Sequence, residues 1–256
     1  MQWDPEQYLR FGDHRARPFH DLLARVEADD PSYVVDLGCG PGPLTELLAR
    51  RWPHATVVGV DSSPEMIARA ERLATDGLEF VRADLRDWTP EYPVDVLVSN
   101  ATLQWVPDHL AQLPRLAAML APRGWLALQR PGNFDAPSHT ELAAMRTSPR
   151  WRDRLAGLAE RAAVHEPATY LATLAAAGLV VDAWETTYLQ VLAGEDAVLE
   201  WMKGTGLRPT LELLTEPEAA EFVAEYGERL RAAYPAQPFG TVLPFRRIFM
   251  VARRGV

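Results

Sequence analysis

The chain has 256 residues, 48% hydrophobic and 24% charged, and its 35 acidic against 26 basic side chains give a formal net charge of −9. That length holds one full α/β sheet plus a modest insertion, and the acidic balance argues against a broad nucleic-acid surface. There is no run of about 18 apolar residues to span a membrane, no signal-peptide pattern, and one cysteine, Cys39, which fits a reducing cytoplasm.

Residues 4 to 27 read as one or two N-terminal helices broken near Arg17-Pro18. Tyr33-Val34-Val35-Asp36-Leu37 then reads as a strand buried on both faces, running into a turn with Gly38, Gly40 and Gly42. Such a turn lets the backbone approach a ligand, and the helix from Pro43 offers it free N–H groups. The G-x-G-x-G spacing alone does not name the ligand. A second strand at 56–61 ends in Asp61, a carboxylate placed to accept from both hydroxyls of a ribose. Dinucleotide folds and methyltransferases share that device.

A helix follows at 64–75, with Ser62 and Glu65 at capping-box spacing and Pro64 in its first turn. The third strand, Phe80 to Ala83, leads into Asp84-Leu85, where an acid could meet an adenine amino group. The fourth, Val94 to Asn100, puts a polar residue at its carboxyl end. Leu110, Leu113, Leu116, Ala117 and Leu120 recur at helical spacing, Pro122-Arg123-Gly124 stops that helix, and Trp125 to Arg130 makes a fifth strand. Strand–helix alternation predicts a parallel sheet with right-handed crossovers and helices on both faces.

The later part differs. Residues 138 to 177 read as helices, Leu179 to Leu192 as a strand, 195 to 234 as helices broken at Gly204-Thr205-Gly206 and Pro209, and Ile248 to Ala252 as a last strand. The expected organisation is one domain over 1–256. It has N-terminal helices at 1–30, a cofactor-binding core at 31–132, and a helical cap over the active site from 133–178 and 193–240.

The motifs D-L-G-C-G-P-G at 36–42, Asp61 after the second strand, and A-D-L-R-D-W at 83–88 make residues 30 to 132 resemble the class I S-adenosylmethionine-dependent methyltransferases. The resemblance implies a Rossmann-like, mostly parallel seven-stranded sheet. It also implies that Asp36, Gly38 and Gly40 line the methionine part of S-adenosylmethionine, and that Asp61 and Ser62 lie at the ribose. Met66, Asp84 and Leu85 would lie around the adenine, with Asn100 completing the rim. W-D-P-E-Q-Y-L-R-F (3–11), R-A-R-P (15–18), S-N-A-T-L-Q-W-V-P-D-H (99–109), T-G-L-R-P (205–209) and F-R-R-I-F-M-V-A-R-R (245–254) look like the trans-aconitate methyltransferases. Those enzymes esterify one carboxylate of a small tricarboxylate.

An ionised carboxylate has a reference pKa near 4 and needs no general base. Positioning and exclusion of water would supply the rate. The carboxylates that do not react need fixed cations, best supplied by arginine. The likeness points to Tyr8, Arg17, Trp105, Arg208, Arg246 and Arg247, with Arg15 and Arg130 behind them; strand alternation allows at most one of Arg246 and Arg247 to face the pocket. For a hydroxyl acceptor, His20 or His109 would be the first candidate base. The histidines show no metal-ligand spacing, so no metal is expected. Two other readings stay open: methylation of another small acceptor, such as an acyl-carrier dicarboxylate thioester or a hydroxylated metabolite, and a non-catalytic S-adenosylmethionine-binding module.

Overall fold

The computed structural model describes residues 12–158 and 164–255, with side chains from residue 16 onward. Its strands are β1 (Tyr33–Leu37), β2 (Thr56–Asp61), β3 (Leu78–Arg82), β4 (Val94–Asn100), β5 (Leu120–Pro131), β6 (Leu179–Leu192) and β7 (Thr241–Arg254). They form one sheet in the order β3-β2-β1-β4-β5-β7-β6. Every neighbouring pair is parallel except those of β7, which runs antiparallel to β5 and β6. The order turns back between β1 and β4, so a crevice opens above their carboxyl ends, where open α/β sheets hold ligands.

Burial on both faces explains the apolar strands. On one face, α1 (Gly12–Leu23) and α2 (Pro43–Arg51) cover Val34, Val57, Val96, Val98, Ala127, Phe249 and Val251. On the other, α4 (His109–Ala118) and α6 (Pro167–Ala176) cover Val35, Leu37, Leu97, Leu126, Leu128, Ile248 and Met250. The helix between β2 and β3 is α3 (Pro64–Ala70). Its N-cap is Ser63, whose Oγ accepts from Met66 N at 3.3 Å. The Ser62–Glu65 capping box expected from spacing is therefore displaced by one residue, and Glu65 instead accepts from Ser63 Oγ at 2.8 Å.

Two strands are longer than the sequence pattern suggests. Leu120 belongs to β5, because it pairs with Val94 ahead of a register shift. Pro122-Arg123-Gly124 is thus an irregularity inside the strand. A Cβ on Gly124 would lie 2.7 Å from the carbonyl oxygen of Val94, so glycine permits the close approach. At the other end, β7 starts at Thr241. Its pairing with β5 ends at Pro131↔Arg247, whereas its pairing with β6 continues to Leu192↔Thr241.

The β6–β7 ribbon therefore overhangs the carboxyl edge of the sheet, and the remaining helices pack on the overhang. Leu192, Leu243 and Phe245 share a buried cluster with residues of α5 (Pro137–Thr147), α7 (Ala197–Lys203) and α9 (Glu216–Ala233), among them Leu142, Trp201, Phe222 and Tyr226. Trp151 meets Phe222 edge-on at 5.2 Å. The short α8 (Arg208–Leu211) is fixed by Arg146, which donates to Gly206 O and Thr210 Oγ1 at 3.0 and 2.6 Å. The assignment of 133–178 to a cap differs from the structure at its end: Tyr170 and Leu174 of α6 are buried in the sheet's own core. Among the described residues, no helix is long and apolar enough to cross a membrane.

Candidate active site

The turn after β1 is tied down on both sides. Gly38 N and Cys39 N both donate to Val60 O, at 2.7 and 3.1 Å, fastening the turn to β2. Ser99 Oγ donates to Leu37 O at 2.7 Å, and Thr102 Oγ1 to Gly38 O at 3.4 Å, fastening it to β4 and the loop beyond. Gly38 has φ +80°, and a Cβ there would lie 2.0 Å from Thr102 Oγ1. Gly40, at φ +56°, would carry a Cβ that meets nothing within 4 Å. The first glycine lets the protein pack on itself; the second leaves backbone open to a ligand.

Asp36 is only 2% exposed and lies beneath this turn. Thr45 Oγ1 of α2 donates to it at 2.7 Å. Burial pushes its carboxyl up to about 7, while the Thr45 bond opposes and the nearby Asp61 carboxylate adds to the rise. Asp61 stands half-buried at the end of β2. Its Oδ2 accepts from Gly40 N at 3.0 Å and its Oδ1 from Ser63 N at 2.9 Å. Each oxygen retains a further lone pair, as a vicinal diol would require. Ser62 is exposed and Met66 half-buried beside it.

Asp84 follows β3, where Arg86 Nη2 and Nε hold its carboxylate at 2.6 to 3.1 Å. That pairing lowers its pKa. Leu85 is buried, and its carbonyl accepts from Arg115 of α4. Asn100 ends β4 with its Oδ1 buried and lacking a hydrogen-bond partner. Ala101, next in the chain, has φ +55°, a strained value for a residue with a Cβ.

The expected acceptor residues separate. Alternation along β7 puts Arg247 with Phe249, on the face of Asp36 and α1, and Arg246 with Ile248 on the opposite face. Arg246 Nη2 is held by Glu185 and Glu166 at 2.5 and 2.6 Å. Arg247 is 5% exposed, with its guanidinium carbon 4.3 Å from the Phe245 ring centroid. Arg17 of α1 lies 4.9 Å from the Tyr188 ring centroid, and the charges of Arg17 and Arg247 both act on the Tyr188 hydroxyl. That hydroxyl donates to Asp21 at 2.6 Å. Arg208 sits at the start of α8, paired with Glu212 at 3.3 Å. Trp105 is 45% exposed in a short 3-10 turn after β4. Tyr8 and the Arg15 side chain lie outside the described residues.

Sequence reasoning missed Thr45 and Thr102, whose roles depend on contacts across the fold. It also missed Gln129, a fully buried polar residue near the end of β5. The rule that singled out Asn100, a polar side chain at a strand's carboxyl end, would have found it. Arg130 lies on the face away from Asp36, where its Nη1 meets Tyr170 Oη at 2.7 Å and His109 Nε2 at 2.5 Å. Burial, the Arg130 charge and the His165 charge hold His109 down to about 4, so it is neutral and a weak base at neutral pH. Burial and the carboxylates of Asp36 and Asp61 push the Cys39 thiol up, which keeps it protonated. His20 is exposed on α1. Among the described residues, no three His, Cys, Asp or Glu side chains gather to hold a metal ion.

This fold and this strand-end rim define a class I methyltransferase domain, and residues 8–183 match the family described as a methyltransferase domain. The chain is 57% identical over 260 residues to a trans-aconitate 2-methyltransferase of Streptomyces avermitilis, covering 98% of this chain and 97% of the relative. It is 52% identical over 254 residues to one of Rhodococcus jostii, covering 98% and 99%. It belongs to the trans-aconitate 2-methyltransferase family. The fold is shared with a solved S-adenosylmethionine-dependent methyltransferase of Mesorhizobium loti, at TM-score 0.54 and 19% identity over 92% of this chain and 97% of that one. It is shared also with a phosphoethanolamine N-methyltransferase of Haemonchus contortus, at TM-score 0.58 and 16% identity, over 94% of this chain and 53% of that one.

Two predictions follow from the rim. Asp61→Ala removes an acceptor that charge strengthens, so S-adenosylmethionine affinity falls by about 1.5–3 kcal/mol in calorimetry; unchanged affinity would take Asp61 out of the cofactor site. For Asp36, the folded value of about 7 lies above the ordinary 3.8. Its contribution to stability is therefore full below about 3.8, declines as pH rises through the window, and is lost above about 7. His109, lowered from 6.5 to about 4, contributes the opposite slope over much of that window. Comparing denaturation of cofactor-free wild type with Asp36→Asn isolates the first: wild type loses stability relative to the variant between pH 4 and 7. A difference independent of pH would mean that Asp36 ionises normally.

Proposed function

We infer that the chain is an S-adenosylmethionine-dependent O-methyltransferase that esterifies a carboxylate of trans-aconitate. The observation that carries this is 57% and 52% identity, over nearly the whole chain, with relatives of that name; the residues expected at the cofactor stand at or just beyond the carboxyl ends of β1 to β4, which supports the reading. The residues fit the cofactor: Gly40 leaves open backbone, Asp61 keeps acceptor capacity for a diol, and Asn100 Oδ1 is a buried acceptor without a protein donor. The chemistry S-adenosylmethionine supplies when bound is an activated methyl group on a sulfonium.

The protein's part is to hold and orient. Asp36, Gly38 and Gly40 would bound the methionine part, with Asn100 on its far side. Asp61 and Ser62 would hold the ribose, and Met66, Asp84 and Leu85 the adenine. The acceptor would lie toward Arg17, Trp105 and Arg247, beneath the helical cap, with Tyr8 and Arg208 as further candidates. Arg247 lies on the face of Asp36 and Arg246 on the opposite face, which supports Arg247 as the member of the pair that meets the substrate. A carboxylate acceptor makes the neutral, buried His109 irrelevant as a base. We place the protein in the cytoplasm, without nucleic-acid partners, from its single buried cysteine and acidic charge.

The reading is tested with methyl-labelled S-adenosylmethionine and trans-aconitate. Label that is released as methanol in base identifies an ester; no label on trans-aconitate, or label that base does not release, would overturn the carboxylate reading. For Arg247→Ala, kcat/KM for trans-aconitate should drop on the order of a hundredfold or more, with cofactor affinity nearly unchanged. Arg247→Lys keeps the charge without the planar fork and should restore little. Near-normal kcat/KM in both folded variants removes Arg247 from the acceptor site.

A further inference from the structure

Gln129 is 0% exposed, and neither its Nε2 nor its Oε1 has a hydrogen-bond partner in the protein. Interiors seldom keep a primary amide in that condition, because each desolvated group costs stability when it is not paired. The place is equally specific. Gln129 lies in register with Asn100 of β4, whose Oδ1 is likewise buried and unpartnered. Four residues on, in the turn leaving β5, Asn133 is 3% exposed with its Oδ1 unpartnered. On the other side, Gln129 is in register with Phe249 of β7, two residues from Arg247 on the same face. Asp36 is in register with Val98, two residues from Asn100, so the row continues to the turn after β1. Gln129 thus stands between the cofactor rim and the buried arginine.

We propose that Gln129 Nε2 donates to the reacting carboxylate of the acceptor and fixes which oxygen faces the methyl group; this rests on the carboxyl-methylating reading above. In the transfer, a C–O bond forms from a carboxylate oxygen to the methyl carbon as the C–S bond breaks. The bonding pair stays on sulfur, the carboxylate and sulfonium charges cancel, and no proton moves. A guanidinium on the reacting carboxylate would draw away the electron density that attacks. A neutral amide orients the group with less withdrawal, which suits Gln129 to the reacting carboxylate and Arg247 to an unreacting one.

The test uses full-length wild type, Gln129→Met and Gln129→Glu, with methyl-labelled S-adenosylmethionine and trans-aconitate. Gln129→Met is close in volume and cannot donate. Its kcat/KM should fall about ten- to a hundredfold, mainly in kcat, with the cofactor Kd unchanged. Its Tm without ligands should rise, because an unpaired buried amide has gone. Gln129→Glu should be weaker still at neutral pH, through like-charge repulsion, and recover as pH falls and the introduced carboxyl gains a proton it can donate. Wild-type kcat/KM in folded Gln129→Met overturns the proposal, as does a lost Tm together with weakened cofactor binding, which would mark Gln129 as structural. Wild type that makes no base-labile ester overturns the underlying reading instead, and the proposal with it; that failure shows on the unaltered protein.

Discussion

The site depends on the contact between Gly38 and Thr102. No side chain fits at Gly38, because the space a Cβ would need is filled by Thr102. The turn after β1 and the loop after β4 are therefore locked together, and the Ser99 bond to Leu37 O reinforces the lock one residue back. The turn is also bound to β2 through Val60 O, so three strand ends move as one unit. Methyl transfer needs donor and acceptor held in line, where a misplacement of about 1 Å can cost a hundredfold in rate. Here the turn proposed to bound the donor packs directly on the loop after β4, through Gly38 and Thr102. Ala101, held at positive φ within that loop, fits the same picture of backbone strain retained where geometry matters.

Charge is divided between the two faces of the sheet. On the α4–α6 face, Arg246 is neutralised by Glu166 and Glu185, and Arg130 is held by neutral partners, Tyr170 and His109. On the α1–α2 face, Asp36 is buried with a single hydroxyl donor, and Gln129 and Asn100 hold unpaired amide atoms. Adjacent residues in one strand, Arg246 and Arg247, thus enter opposite environments through alternation alone. Among the buried polar atoms without a protein partner, Asn100 Oδ1 and both amide atoms of Gln129 stand on adjacent strands at the carboxyl edge of β4 and β5. A low-dielectric edge of this kind interacts strongly with any charged ligand that completes it.

The parallel half of the fold was legible in the sequence because its signals are local. Short apolar runs, glycines at 38, 40 and 42, and an acid closing β2 each fix backbone or chemistry within a few residues. The polar residues at the strand ends, Asp61 and Asn100, were read in the same way. The antiparallel edge was harder, since β7 alternates between two cores and includes Pro244, Arg246 and Arg247, so only its most apolar stretch, Ile248 to Ala252, looked like a strand. The helix α6 was read as cap because its alanine-rich composition does not say which apolar surface it joins; that is decided by Tyr170 and Leu174 meeting the sheet. The partners of Arg246 were invisible for a similar reason, since Glu166 and Glu185 are 80 and 61 residues away in the chain.

The antiparallel edge also gives the proposed acceptor side a support separate from that of the turn after β1. Because β7 runs antiparallel to β5, it carries the chain back past the carboxyl edge, and β6 and β7 can extend beyond β5 as a ribbon. That overhang supplies the apolar floor for α5, α7 and α9, while its root sets Arg247 opposite Pro131, two residues beyond Gln129. Substitutions on the ribbon or in the helices it carries would reach the proposed acceptor side without touching β1 to β3. The turn after β1, by contrast, tolerates little, since Gly38, Gly40 and Gly42 all have positive φ and Gly38 and Gly42 are crowded as well. The parallel half and the overhanging edge therefore meet at β4 and β5, and Asn100 and Gln129 stand side by side on that line.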